Sequence, residues 1–393
     1  MSCYNLISID LSSFDTFKVI DMSYMFEDCS NLVSINLKNF NTLNVETMYG
    51  MFYWCSSLRS LDLGNFNAQN VKTFNRMFYF CISLTSIILP FTSTNNKLEN
   101  MNYMFGECWR LKSIDLASLD TTNVKYMEGM FSWCSSLEEF YNLHNFNTKN
   151  VEYMDNMFER CTKLKSINIS NWNLGNVKLI NSMFSYCTSL KSLILSDLNL
   201  QNLTNMDGLF YNCYSLETID LTAFKNISKV VYMHYMFWNC RALKEVDFTS
   251  FDLSKVQQMQ FMFNGCNSLV NVTFNNTSKN NIYNMNSLFS GCTSLRTVNF
   301  NNFNTENVIY MNRMFYNCSN ITSLNLYSFN TSKVQRMDEM FSGCLSLDKL
   351  YIMNFAGNSL FNCTNIFYNV PNIIHIYTNN DFKNILKKFN ISF

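Results

Sequence analysis

Thirteen cysteines recur almost at a fixed interval, at positions 29, 55, 81, 108, 134, 161, 187, 213, 240, 266, 292, 318 and 344. The spacing is 26 residues nine times and 27 three times. Each is approached through Met-Phe-x-x-Cys, as in Met25-Phe26-Glu27-Asp28-Cys29, with Leu for Met only at Leu209 and Leu288. A period of roughly 20 to 50 residues marks a repeat array, in which one supersecondary unit cannot bury its apolar face alone and stacks on copies of itself. The 393 residues are therefore read as one array and not as two or three globular domains.

Three residues after each cysteine comes Leu, or Ile at Ile321, followed by apolar residues at period two, as in Leu32-Val33-Ser34-Ile35-Asn36-Leu37. Strict alternation predicts a short strand with one buried face. Next comes an aromatic residue or Leu, often in Phe-Asn-Thr (Phe40, Phe303, Phe329). The unit closes with Val-x-x-Met-x-x-Met-Phe, whose apolar spacing of three suits one or two turns of α- or 3₁₀-helix, capped by the Asn, Ser and Thr before it. The expected architecture is an α/β solenoid of leucine-rich-repeat type. It is a curved stack of about 14 units, each a short parallel β-strand plus a short helical turn.

The period holds over residues 1–354, the second half of a first unit being supplied by Cys3, Leu6, Ile9 and Leu11. Irregular stretches at Leu89-Pro90-Phe91, Phe140–Leu143 and Asn276–Lys279 predict local bulges. Residues 355–393 depart from the period, with a final strand expected at Ile373–Tyr377 and a closing helix at Asp381–Phe389, Lys-rich towards its end. These form a C-terminal cap. The chain starts inside a unit with no matching cap, so a longer reading frame is expected upstream.

Apolar residues make up 48% of the chain and charged residues 15%, which permits a large core. Lys plus Arg and Asp plus Glu stand at 29 each, so there is no general attraction to nucleic acid. No apolar run reaches the ~18 residues of a membrane span, and residues 1–10 lack the pattern of a signal peptide.

The pattern Met-x-x-Met-Phe-x-x-Cys-x-x-Leu-x-x-Leu-Asp-Leu, clearest at Met51–Leu63, resembles the BspA-like leucine-rich repeat surface proteins. The likeness is to their 26-residue variety, as in mycoplasma lipoprotein repeats, and covers residues 3–352. It implies display at the cell surface or secretion, adhesion to host, matrix or neighbouring-cell proteins, and no catalytic residues. The missing signal peptide departs from that pattern.

Without a Cys-x-x-Cys pair the cysteines lack the spacing of a zinc site, and a single column of side chains pointing one way disfavours disulfides. A ladder of buried free thiols is expected, and no metal or cofactor. His144, His234 and His375 fall at different repeat positions and define no common site. Two surfaces remain. The outward strand column carries Asp10, Asn36, Asp62, Asp115, Asn168, Asp220, Asp247, Asn299 and Asn325. Two residues earlier lie Ser34, Ser60, Ser113 and their equivalents. This flat polar face is a candidate for partner binding, or a solvated sheet with self-bonded ladders. The second candidate is an aromatic row just before the cysteines, at Trp54, Phe80, Trp133 and Tyr186, which either anchors a partner or packs on the neighbouring turn.

The expected function is a non-catalytic protein-binding solenoid, an adhesion or recognition module at a surface. The alternative is an intracellular leucine-rich-repeat scaffold in the cytoplasm, favoured by the free cysteines. An enzyme on a parallel β-solenoid would need acid, base and cation from adjacent turns, and the charged residues of the strand column are all acidic.

Overall fold

The computed structural model describes residues 3–89, 95–195, 198–274, 280–301, 303–371 and 375–389. The chain forms two compact units, Met1–Leu200 and Gln201–Phe393. Each is a parallel β-solenoid.

In the first unit Ser60–Asp62 pairs in parallel with Ser86–Ile88, Ser113–Asp115 with Glu139–Tyr141, and Ser166–Asn168 with Ser192–Ile194. Each residue meets its counterpart one repeat on, so Leu61 lies opposite Ile87 and Ile167 opposite Leu193. In the second unit Glu245–Phe248, Asn271–Phe274 and Thr297–Asn299 form one three-stranded sheet, and Ser323–Asn325, Lys349–Ile352 and His375–Thr378 another. The partner of each of these strands is the equivalent strand of the next repeat, so the inward residues meet inward residues, as Leu61 meets Ile87, and the register is fixed by burial.

The Val-x-x-Met-x-x-Met-Phe segment is not helical, as the spacing of three had suggested. It is a run of β-turns. In the repeat ending at Cys55, Met51 N–H donates to Met48 O, Tyr53 N–H to Gly50 O and Cys55 N–H to Phe52 O. The intervening amides Gly50, Phe52 and Trp54 donate to Asn75, Met77 and Tyr79 of the next repeat at 2.8–2.9 Å. A helix would direct every amide four residues back along its own chain. Here every second amide is taken by the neighbouring turn, and both bonding modes keep Met48, Met51 and Phe52 inside. Two residues per repeat are left-handed to make this possible, Gly50 and Trp54 in that repeat, Arg76 and Phe80 in the next. They occupy the third place of their turns, where type II geometry needs positive φ.

The core is a set of columns. Phe26, Phe52, Phe78 and Phe105 stack ring on ring at 5.3–5.7 Å in the first unit. Phe237, Phe263, Phe289 and Phe315 do so at 5.4–5.5 Å in the second. The Met, Leu and Val of each repeat are buried beside them. Within each unit the cysteine thiols lie against the preceding repeat's Phe carbonyl, as from Cys134 Sγ to Phe105 O at 3.1 Å in the first and from Cys266 Sγ to Phe237 O at 3.0 Å in the second.

The Asn and Thr of the sequence act as joints. Thr42 is buried and exchanges bonds with the Asn67 backbone, while Asn41 Oδ1 accepts its own Leu43 N–H. Asn44, Asn70, Asn150 and Asn176 donate to carbonyls of the repeat before, at 2.7–2.9 Å. These bonds satisfy backbone groups that the short strands leave unpaired.

The extra residue near Phe140 is absorbed after the strand, by left-handed Asn142 and a 3₁₀ turn at Leu143–Asn145. The irregular stretches at Pro90 and Asn276 fall largely outside the described residues. The last strand is described over His375–Thr378, the expected start at Ile373 lying outside the described residues, and the closing helix spans Asn380–Lys388. Asn379 caps it by accepting Phe382 N–H at 2.7 Å, and Phe382 and Leu386 are fully buried.

Candidate partner-binding surface

The strand face places Ser34, Asn36, Ser60, Asp62, Asp115, Asn168, Asp220, Asp247, Asn299 and Asn325 at the surface, with Ser113 half-buried. The acid or amide of that column has a local task. Asn36 accepts Lys38 N–H, Asp62 accepts Gly64, Asp115 accepts Ala117, Asn168 accepts Ser170 and Asp220 accepts Thr222, at 2.8–3.1 Å. Asp247, Asn299 and Asn325 repeat the bond to the residue two further on. These are Asx turns that bend the chain out of the strand. The Asp115 carboxyl lies below its ordinary pKa, first because the Asn142 amide of the next repeat donates to it and second because of the Asx bond from Ala117 N–H. One oxygen of each side chain is thereby committed to the fold, which the sequence reading did not anticipate.

The aromatic row is exposed to different degrees. Trp54 is 42% exposed, and Phe80, Trp133 and Tyr186 are half-buried. Their register also holds Glu107 and Arg160, which sequence reasoning passed over, so the column runs Trp54, Phe80, Glu107, Trp133, Arg160, Tyr186. Trp54 stacks on Phe80 at 4.4 Å, and Phe80 meets Trp109 edge-on at 5.8 Å. The Arg160 guanidinium lies 4.1 Å from the Trp133 ring centre and 4.0 Å from that of Tyr186. The row thus packs on its neighbours while Trp54 stays exposed and the other rings half-exposed.

All six of these residues are left-handed. Positive φ costs a side chain bearing Cβ roughly 1–2 kcal/mol. In the second unit the same register holds Asn212, Asn239, Gly265, Gly291, Asn317 and Gly343, residue types that adopt this backbone readily. Comparing the two halves in register is the signal that would have revealed the column's backbone and the place of Glu107 and Arg160 in it.

Carboxylates lie beside the row. Burial pushes Glu107 and Glu159 up, and Arg160 draws both partly back. Trp109 Nε1 donates to Glu107 Oε2 at 2.6 Å. Asp155 is pushed up to about 6, by burial first and by the Glu128 charge in addition. A further column not foreseen alternates in sign, pairing Glu46 with Lys72, Glu99 with Lys125 and Glu152 with Lys178 at 2.5–3.1 Å. These pairs are exposed and worth little singly.

The fifteen cysteines are thiols outside any disulfide, Cys3 exposed and the others buried. Burial raises the thiols, Cys81 and Cys344 to about 12. His234 Nδ1 sits 2.8 Å from Asp207 and His375 Nδ1 3.1 Å from Asp348, at separate places. Among the described residues no three His, Cys, Asp or Glu side chains converge on a metal position. No helix there is long and apolar enough to cross a membrane.

The family model described as "Mycoplasma protein of unknown function, DUF285" matches residues 2–113, 99–224, 161–276 and 270–380. A leucine-rich repeat protein from Bacteroides ovatus is similar in structure, with TM-score 0.53, 20% identity, and coverage of 91% of this chain and 86% of that one. A leucine rich cell surface protein from Faecalibacterium prausnitzii aligns with TM-score 0.42, 17% identity, and coverage of 82% and 83%. No curated protein matches the chain. The Bacteroides likeness identifies the solenoid as a leucine-rich-repeat fold.

Proposed function

The chain belongs to the family described as Mycoplasma protein of unknown function, DUF285, and from that membership and the fold we propose that it is a non-catalytic protein-binding solenoid. Its setting in this reading is a cell surface, where it acts as an adhesion or recognition module towards a host, matrix or neighbouring-cell protein. The observation that carries the reading is the row Trp54–Phe80–Trp133–Tyr186. It keeps large rings at the surface on a left-handed backbone that costs stability. Strain retained at the surface points to a use beyond packing. Trp, Tyr and Arg are also the side chains that dominate protein interfaces.

The strand face serves as a secondary contact area in this reading, through Ser34, Ser60 and the second oxygen or nitrogen of Asp62, Asp115 and their equivalents. A second reading, an intracellular scaffold, draws on the fifteen thiols outside any disulfide, which suit a reducing compartment.

The test is retention of the purified chain on host-cell and matrix preparations, against an unrelated leucine-rich solenoid, with surface proteolysis of intact cells. Retention above the control, together with cleavage of the native protein on intact cells, supports the surface reading. Retention no greater than the control, with protection from protease, overturns it.

A further inference from the structure

The column before the cysteines contains one filled cation cage and, two turns away, the parts of a second. In the filled one, Arg160 lies between the rings of Trp133 and Tyr186 at 4.1 and 4.0 Å. In the other, Glu107 occupies the column position between Phe80 and Trp133. Trp109, 39% exposed, meets Phe80 edge-on at 5.8 Å and donates its indole N–H to the Glu107 carboxylate. Rings and a carboxylate together are what an ammonium or guanidinium group seeks, since the ring faces are electron-rich and the carboxylate neutralises the charge.

We propose that Glu107, with Phe80 and Trp109, receives a lysine or arginine side chain from a basic segment of the protein partner. This rests on the protein-binding reading above and specifies the partner's chemistry. Charge complementarity supports it. The turn segments around the site carry Glu107, Glu128, Asp155 and Glu159 against Arg76 and Arg160, whose guanidiniums already lie over rings, with Arg110 beside Trp109. Burial raises Glu107, and the Trp109 N–H and the Arg160 charge offset that only in part, so a further arriving cation stabilises the ionised carboxylate. In the second unit the register holds Asn and Gly, and Asn239 Nδ2 bonds to Asn212 Oδ1 at 2.9 Å. That column has neither ring nor acid to offer, which confines the basic-segment site to the first unit.

The experiment titrates the full chain with two synthetic peptides of equal length, one alternating Lys and Gly, the other Glu and Gly, following tryptophan fluorescence and heat. Two variants accompany it. Glu107→Gln keeps the volume and the acceptor for Trp109. Phe80→Asn places at this left-handed position a residue type used there in the second unit, so the backbone geometry is kept while the ring is removed. The Lys peptide is expected to bind and the Glu peptide not. Each variant is expected to weaken the Lys peptide about tenfold while still unfolding in one cooperative transition. Equal binding of both peptides, or Lys-peptide affinity unchanged in Glu107→Gln, overturns the proposal. Absence of Lys-peptide binding while the chain is still retained on cells or matrix overturns it and leaves the protein-binding reading standing. Loss of both removes both.

Discussion

Thr42 and Asn67 exchange two hydrogen bonds across one repeat. The Thr42 hydroxyl donates to the Asn67 carbonyl at 3.0 Å and accepts from the Asn67 N–H at 2.7 Å. Thr16, Thr121 and Thr148 form the same pair with Asn41, Asn147 and Asn173. Thr42→Val keeps the shape and leaves a donor and an acceptor without a partner in a buried joint. A loss of about 2 kcal/mol is expected, read as a lower urea midpoint, whereas Thr42→Ser retains both bonds and most of the stability.

The thiol ladder should be chemically silent. With fourteen of fifteen cysteines buried, a thiol reagent at pH 8 is expected to modify Cys3 quickly and the rest only after denaturation. The raised pKa values also fix a direction. Cys81 and Cys344 hold their protons to about pH 12 when folded, against about 8.5 in an unfolded chain. Above about pH 9 the unfolded state therefore binds fewer protons, and stability falls as pH rises. A urea midpoint that stays constant from pH 8 to 11 would contradict this.

Two glycines in one register separate backbone strain from steric clash. Gly291 and Gly343 have φ of 76° and 77°. A Cβ on Gly291 would meet nothing nearer than 3.6 Å, while one on Gly343 would lie 2.1 Å from Asn317 Oδ1. Gly291→Ala is expected to cost about 1 kcal/mol, from the left-handed backbone alone. Gly343→Ala is expected to cost more, because Asn317 must also move. Parallel thermal melts of the two variants measure the difference.

Asp155 carries the opposite sign of pH dependence from an ordinary paired carboxylate. Its pKa rises to about 6 on folding, so its share of stability is complete below about pH 4 and is lost as pH rises through 6. Asp155→Asn retains an acceptor for the Asn181 N–H and removes the buried charge. It should be more stable than the parent at pH 7.5 and equal to it near pH 4. A variant less stable at both would show that the carboxylate contributes to the fold in its charged form.

The solenoid was legible because its core is a repeated set of columns. Cys55, Phe52, Leu58 and Val71 announce their burial by recurring every 26 or 27 residues. The path between the columns was less legible. Met48, Met51 and Phe52 sit three and one apart, a spacing that a helix and a run of turns satisfy equally. Only the competition between neighbouring turns for the same amides decides between them. The Asn residues were opaque one at a time, since Asn41 bends its own backbone and Asn44 reaches the repeat before. The strand column at Asp62 and the row at Trp54 were both visible as surface. Neither the Asx bond of the first nor the left-handed backbone of the second shows in a single repeat.

The reciprocal joints have a consequence for how such a chain can vary in length. Thr42 grips the repeat after it and Asn44 the repeat before, and each meets a backbone that recurs along the array. Excising one whole period from within a unit would bring together surfaces that already fit, and duplicating one would do the same. Copy number can thus drift by unequal recombination without new compensating mutations, whereas an insertion that is not a whole period must be absorbed locally, as the extra residue is by Asn142 after its strand.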